Sequence, residues 1–158
     1  MPFVISQANS QEDLEIARAL FRAYAESLPF SLDFQNFATE LDALPAPYNP
    51  PAGCLLIARQ DGDAIGVIGL KPFAPGIAEI KRLYVLPEAR GTGLGRALAD
   101  RAIAEARVKG YERVRLDTHR PSMAAAITLY RKLGFVEIPP YGLNPDGQFA
   151  FFEKRLSE

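Results

Sequence analysis

Apolar positions early in the chain recur at helical spacing. Leu14, Ala17, Phe21, Tyr24 and Leu28 share one face of a predicted helix, and Ser10-Gln11-Glu12-Asp13 before them has the form of an N-cap. A short apolar segment, Phe3 to Ser6, precedes it, and Pro29 interrupts it. Phe34, Phe37, Leu41 and Leu44 then predict a second, shorter helix, and residues 45–53, with four prolines, read as a loop. Beyond this point the period changes. Cys54 to Arg59 and Ala64 to Lys71 flank Asp61-Gly62-Asp63 as two strands of a hairpin, and residues 78–86 predict a further strand ended by Pro87. Leu94, Leu98, Ala102 and Ala106 give a helix that stops at Gly110, and Arg113 to Asp117 is a strand. Pro121 opens a helix whose Ala126, Leu129, Tyr130 and Leu133 share a face, with Gly134 as its C′ residue. Phe135 to Ile138 and Phe149 to Arg155 read as closing strands around a loop at 139–148. Strands alternating with helices predict an α/β sandwich with a mixed sheet, and the absence of a linker predicts one domain over residues 1–158.

A chain of 158 residues, 48% of them hydrophobic, is long and apolar enough for a real core. Its one cysteine, Cys54, cannot form an internal disulfide and reads as a small packed hydrophobe; no Cys/His cluster suggests a metal. The start has no basic stretch followed by a long apolar one, and no run approaches the roughly 18 apolar residues of a membrane span. A soluble, cytoplasmic protein without a membrane partner is expected. The net charge of −1 conceals an asymmetry: residues 1–80 carry 4 Lys/Arg against 10 Asp/Glu, and residues 81–158 carry 14 against 9. The basic half calls for an anionic ligand. Nucleic acid is the weaker fit, because the basic residues alternate with acids and apolars instead of forming a run.

The segment Arg90-Gly91-Thr92-Gly93-Leu94-Gly95-Arg96 joins a predicted strand to a predicted helix. Glycines there permit positive φ and remove the Cβ atoms that would hold off a phosphate. Backbone N–H groups and the helix dipole then supply positive potential. Arg90 and Arg96 add forked donors suited to phosphate oxygens. A diphosphate suits this turn, but Arg96 stands where a Rossmann fingerprint needs its third glycine, and the Gly-Lys-Ser/Thr of a P-loop is absent. The alternative is that the glycines serve only a tight connection.

Arg90-x-x-Gly93-x-Gly95 resembles the Gln/Arg-x-x-Gly-x-Gly/Ala signature of the GCN5-related N-acetyltransferase (GNAT) superfamily. Upstream, Glu79-Ile-Lys-Arg-Leu-Tyr-Val85 followed by Pro87 is similar to that family's central strand. Downstream, Ala126-Ile-Thr-Leu-Tyr130-Arg-Lys-Leu-Gly-Phe135 is similar to its late helix and the strand after it. The resemblance covers residues 54–155 and implies a three-layer α/β/α sandwich whose central mixed sheet is partly splayed. It implies acetyl-CoA as co-substrate, no metal, and acetyl transfer to a primary amine by direct attack in a ternary complex. By position, Gly91, Thr92, Gly93, Leu94, Gly95 and Arg96, with Arg90, would hold the pyrophosphate. Leu83, Tyr84 and Val85 would pair with the pantetheine amides. Tyr130 stands where the family is proposed to protonate the departing sulfur; the alternative is a core tyrosine. Arg131 and Lys132 either approach the 3′-phosphate or are solvated. Met123 occupies the place where many relatives have an asparagine that holds the pantetheine arm, with Ser122 or Arg120 as possible substitutes.

An alkylammonium must lose a proton before it attacks a thioester, so a base or water chain is required. Glu79, on the strand flooring the expected site, is the candidate base, directly or through water; the alternative is an ion pair with Lys81, Arg82 or another cation. His119 is a second candidate, as base or substrate contact, and Asp117 either binds an amine or pairs with Arg115 or His119. In this family the N-terminal helices and the late loop shape the acceptor pocket, which makes Phe30, Phe34, Tyr48 and Tyr141 candidate lining residues and a small-molecule amine the expected acceptor. Alternatives are a protein or peptide amine, or a sensor that binds acetyl-CoA without turnover. Homodimers are frequent in the family, and Phe149, Phe151 and Phe152 suit either a core or an interface.

Overall fold

Leu55, Leu56 and Ile57 are consecutive apolar residues, and successive side chains on a strand point to opposite faces. All three can be buried only in a sheet covered on both sides. In the computed structural model, which describes residues 2–156, each is 0% exposed. The one-domain expectation included Met1, Ser157 and Glu158, which lie outside the described residues. The elements in chain order are β1 (Val4–Gln7), α1 (Gln11–Ser27), α2 (Phe37–Ala43), β2 (Cys54–Gln60), β3 (Asp63–Ala74), β4 (Ile77–Val85), α3 (Leu94–Val108), β5 (Arg113–His119), α4 (Ala124–Lys132), β6 (Val136–Ile138) and β7 (Phe149–Arg155). The seven strands form one sheet in the order β1-β2-β3-β4-β5-β7-β6, in which only β4 and β5 pair in parallel. Helices α3 and α4 pack on one face, with Leu94, Leu98, Ala102, Ile103 and Tyr130 in the core beside Leu56, Ile80 and Leu116. The helices α1 and α2 cover the other face, where Ala17, Leu20, Phe21 and Phe37 meet Leu55, Ile57 and Val67. The layers are those of the expected α/β/α sandwich.

Local chemistry explains most boundaries. Ser10 caps α1 by accepting the Asp13 N–H (3.1 Å), Asp13 reciprocates to the Asn9 N–H (3.0 Å), and Asp13 also pairs with Arg59 on β2 (2.7 Å). The second helix is shorter than its apolar spacing predicts: a single 3₁₀ turn at Asp33–Gln35 precedes it, and Asn36 breaks the two apart in the left-handed region (φ 57°). Asparagine tolerates that conformation better than most residues, and Leu44 is extended because Pro45 follows it. The β3 strand runs past Lys71 to Ala74 and turns back through Gly76 (φ 77°), so β3 and β4 form a second hairpin that the sequence pattern did not reveal. The α4 helix begins at Ala124 and not at Pro121, because β5 keeps its pairing to His119, opposite Phe149, and the His119 carbonyl accepts the Met123 N–H (3.0 Å).

The functional geometry comes from an incomplete ladder. Strands β4 and β5 pair only at Ile77/Arg113, Ala78/Val114 and Glu79/Arg115, then separate. Each stays anchored on its outer side, β4 to β3 and β5 to β7 over the whole of β5. Two inner edges therefore face each other across a gap, without the partners that buried backbone groups require. A bulge sharpens the separation. Val67 pairs with Tyr84 and Gly69 with Lys81, so Arg82 and Leu83 together oppose Ile68, and Arg82 takes φ 63°.

Candidate active site

The gap between β4 and β5 is a cavity of about 440 Å³, bordered by Leu83, Tyr84 and Val85, by Leu116 to His119, and by the start of α4. At its mouth lies the glycine turn. Gly91 (φ 78°) and Gly93 (φ 86°) are left-handed, and a Cβ on either would meet nothing within 4 Å, so the space above them is open. The N-cap of α3 is Gly93, so no side chain caps the helix, and the first N–H groups of an α-helix have no partner within it. Thr92 is exposed, with its hydroxyl donating to the Ala89 carbonyl (2.7 Å). Arg90 donates to the Val85 carbonyl (3.0 Å) with its guanidinium over the Tyr84 ring (5.7 Å), while Arg96 is exposed and only loosely paired with Asp100 (3.7 Å). Leu94 is buried beneath the turn, and Gly95 borders the cavity next to Val85. Such a turn can take a multiply charged anion on backbone donors.

Tyr130, on the buried face of α4, borders the same cavity. Burial, with smaller contributions from Tyr24 and Asp117, raises the pKa of its phenol well above the ordinary tyrosine value. It is a proton donor throughout the neutral range. Across the cavity Tyr24 from α1 is likewise held protonated by burial, its pKa pushed up to about 12 against the opposing influence of Arg82. Sequence reasoning placed Tyr24 in the helix core. Its ring does pack there, 6.1 Å from Tyr84, but its edge reaches the cavity, and helical periodicity carries no signal for that difference.

The face toward α1 and α2 holds the charged groups. Arg82 is buried and held by three hydrogen bonds: Nη2 and Nε donate to the two Glu40 carboxylate oxygens (2.8 and 3.0 Å), and Nη1 donates to Gln35 Oε1 (2.8 Å). Burial opposes ionisation of Glu40, but the Arg82 hydrogen bonds and charge, with the Tyr48 hydroxyl, hold its carboxyl below the usual range. Beside this group a second cavity of about 470 Å³ is bordered by Lys71, Glu79, Glu40 and Lys81, and it shares Gln35, Lys81 and Arg82 with the first. Glu79 lies in this second cavity, pairs with Lys71 (3.4 Å) and accepts a hydrogen bond from the Tyr141 hydroxyl (2.7 Å). The ion-pair alternative thus has a partner, although it is Lys71 and not Lys81 or Arg82. Lys81 instead reaches across the gap to Asp117 (3.5 Å).

The expected acceptor residues separate. Phe30 and His119 border the first cavity, their rings 4.4 Å apart, with Phe149 completing the wall and Phe34 packed behind it. His119 is hydrogen-bonded on both ring nitrogens, Nε2 with Gln148 Oε1 (3.1 Å) and Nδ1 with the Ser122 hydroxyl (2.7 Å). Tyr141 closes over Glu79 between Phe73 and Phe151, away from the first cavity. Tyr48 must be corrected: it is 0% exposed and borders neither of these two cavities. Gly69 has no side chain, so the Tyr48 ring fills the space on the sheet where a Gly69 Cβ would come within 2.6 Å of it, and the Tyr48 hydroxyl donates to Glu40 (2.7 Å). At the position where an asparagine was expected, Met123 Sδ accepts from the Thr118 hydroxyl (3.1 Å), Ser122 is held by His119, and Arg120 pairs with Glu137. Arg131 lies over the Phe152 ring (5.2 Å) and pairs with Glu137 (3.4 Å). Phe149, Phe151 and Phe152 are buried within the chain, which leaves them to the core and not to an interface. No helix of the described residues is long and apolar enough to cross a membrane.

Comparison with known proteins agrees with this geometry. An uncharacterized N-acetyltransferase of Schizosaccharomyces pombe is 35% identical over 98% of this chain and 95% of its own length. The uncharacterized N-acetyltransferase YjgM of Escherichia coli is 31% identical over 98% and 94%. A PaiA N-acetyltransferase from Thermoplasma acidophilum, solved in complex with coenzyme A, superposes with a TM-score of 0.72 at 26% identity, covering 98% of this chain and 99% of that one. The sequence model of the acetyltransferase (GNAT) family matches residues 15–135, more than half of the chain, and so the protein belongs to the GNAT family of acetyltransferases.

Proposed function

We propose that the chain is a single-domain N-acetyltransferase that moves an acetyl group from acetyl-CoA to the primary amine of a small molecule, by direct attack in a ternary complex. The observation that carries this reading is the parallel pair that opens after Glu79, with the glycine turn at one end of the gap and the protonated Tyr130 phenol inside it. Acetyl-CoA supplies an activated acyl thioester. The residues of this chain do the rest. Backbone N–H groups of Gly91 to Arg96 hold the pyrophosphate, and the inner edge of Leu83 to Val85, from which β5 has separated, holds the pantetheine amides, with Arg90 giving up the Val85 carbonyl where needed. The Tyr130 hydroxyl donates its proton to the departing sulfur, a step suited to a phenol that burial keeps protonated. Glu79 receives the acceptor's proton through water, since it borders the adjoining cavity and not the gap itself.

The test is thiol release from acetyl-CoA with a panel of small amines and of peptides, in the wild type and in Tyr130→Phe. Loss of a general acid costs about 100-fold or more in kcat, and acetyl-CoA affinity should change little. An unchanged kcat removes the general-acid role; tight acetyl-CoA binding without turnover on any amine favours a sensor.

A further inference from the structure

Across the face toward α1 and α2, Lys71, Glu79, Arg115 and Glu153 occupy successive register positions on β3, β4, β5 and β7, a row of alternating sign. Within it Lys71 pairs with Glu79 (3.4 Å) and Arg115 with Glu153 (2.8 Å). Two residues further along β4 and β5, where the strands have separated, Lys81 Nζ and Asp117 Oδ1 face each other across the gap at 3.5 Å. Both side chains are largely buried, at 10% and 17% exposure, and both border the reaction cavity. The neighbouring cation, Arg82, is already satisfied by Glu40 and Gln35. Of these pairs, Lys81 with Asp117 is therefore the one that stands at the gap and borders the cavity.

A ligand that opens such a pair must bring one charge of each sign, because removing one partner of a buried pair strands the other. A simple alkylammonium on Asp117 leaves Lys81 with only Gln35 (3.2 Å). A polycation meets Lys71, Lys81 and Arg82, while Glu40 and Glu79 are already engaged. A plain anion leaves Asp117 alone. A zwitterion satisfies both groups.

We propose that the acceptor is an amino acid with an apolar side chain, its ammonium on Asp117, its carboxylate on Lys81 and its side chain against the wall formed by Phe30 and Phe149. This rests on the N-acetyltransferase reading above. The aromatic wall borders the same cavity as the pair, with Phe30 and Phe149 in edge contact at 5.4 Å. Asp117 and Tyr130 border the same cavity, so an ammonium held on Asp117 shares that space with the proposed proton donor. Acetylation forms one N–C bond and breaks one C–S bond. The ammonium gives up two protons, of which one ends on the CoA sulfur and one in solvent. The product has lost its positive charge and with it the attraction of Asp117, which favours release.

The experiment compares kcat/KM for L-leucine and L-phenylalanine with their decarboxylated counterparts, isoamylamine and phenethylamine, and with the methyl esters, spermidine and a short peptide. The amino acids are expected to exceed the matched amines by about 100-fold, the scale set by leaving a buried polar group unpaired with the poorer substrate. Lys81→Met should reduce that ratio to near one, and Lys81→Arg should retain part of it; thermal melting and acetyl-CoA titration verify that both variants are folded. Matched amines, esters, spermidine or the peptide turning over as well as the amino acids overturns this proposal and leaves the N-acetyltransferase reading standing. So does an undiminished ratio in folded Lys81→Met. Acetyl-CoA binding with no thiol release on any compound overturns both.

Discussion

On the α3/α4 side of the sheet the buried residues are apolar almost throughout, and the open surface at its edge is the backbone of the Gly91–Gly95 turn, with the exposed Arg90 and Arg96 beside it. On the α1/α2 side the sheet buries Glu79, Arg82 and His119 and nearly buries Lys81 and Asp117, all as side chains held by other side chains. The two sides suit different tasks. Backbone N–H groups at a helix start recognise phosphate whatever the neighbouring side chains are, so one short turn is enough for a ligand that never changes. An acceptor must be told from its analogues, and that takes charged groups fixed by neighbours from several elements.

Breaking the side-chain network should have the largest effect. Glu40→Ala leaves the Arg82 guanidinium buried without its carboxylate, and loss of one partner of a buried pair costs about 3–5 kcal/mol. For a chain of this size that corresponds to a fall of roughly 10 °C in Tm, measurable by calorimetry. The same pair carries a pH dependence. The folded-state pKa of Glu40 is lowered, so its contribution is fully present above the ordinary Glu value of about 4.3 and is lost as pH falls below that, through the folded value. The Tm difference between wild type and Glu40→Gln should therefore shrink in acid; a constant difference down to low pH would remove the ionic explanation.

Altering the backbone turn should matter less to stability and more to binding. Gly93→Val forces a β-branched residue to φ 86°, a strain of about 1–2 kcal/mol. It also places methyl groups in the open space above the turn, so acetyl-CoA affinity by calorimetric titration should fall by about tenfold or more. The smallest effect belongs to the exposed Arg96–Asp100 contact on α3, where both side chains are 57% exposed at 3.7 Å. Asp100→Ala should change stability by no more than about 0.5 kcal/mol. A large change there would contradict the view that ionic stabilisation is concentrated on the opposite side.

The glycine turn, the strand before it and the late helix were legible because each is local. Positive φ at Gly91 and Gly93, the cap at Ser10 and the apolar face around Tyr130 depend on residues within a few positions of one another. Tyr48 was misread for the opposite reason. Its burial depends on Gly69, 21 positions away on β3, and an aromatic in a proline-rich loop gives no local sign of a space on the sheet made for it. The same holds for Glu79, whose partners Lys71 and Tyr141 come from β3 and from the loop before β7.

By itself the sequence determined the order of helices and strands, the glycine turn and the kind of ligand such a turn can hold, because hydrophobic period and backbone freedom act over short distances. Tertiary structure alone decided where β4 and β5 part, that Arg82 turns inward to Glu40, and that Lys81 meets Asp117 across the opening. Those outcomes depend on register and on a bulge opposite Ile68, and a shift of one residue in either would send the same side chains to the other face of the sheet.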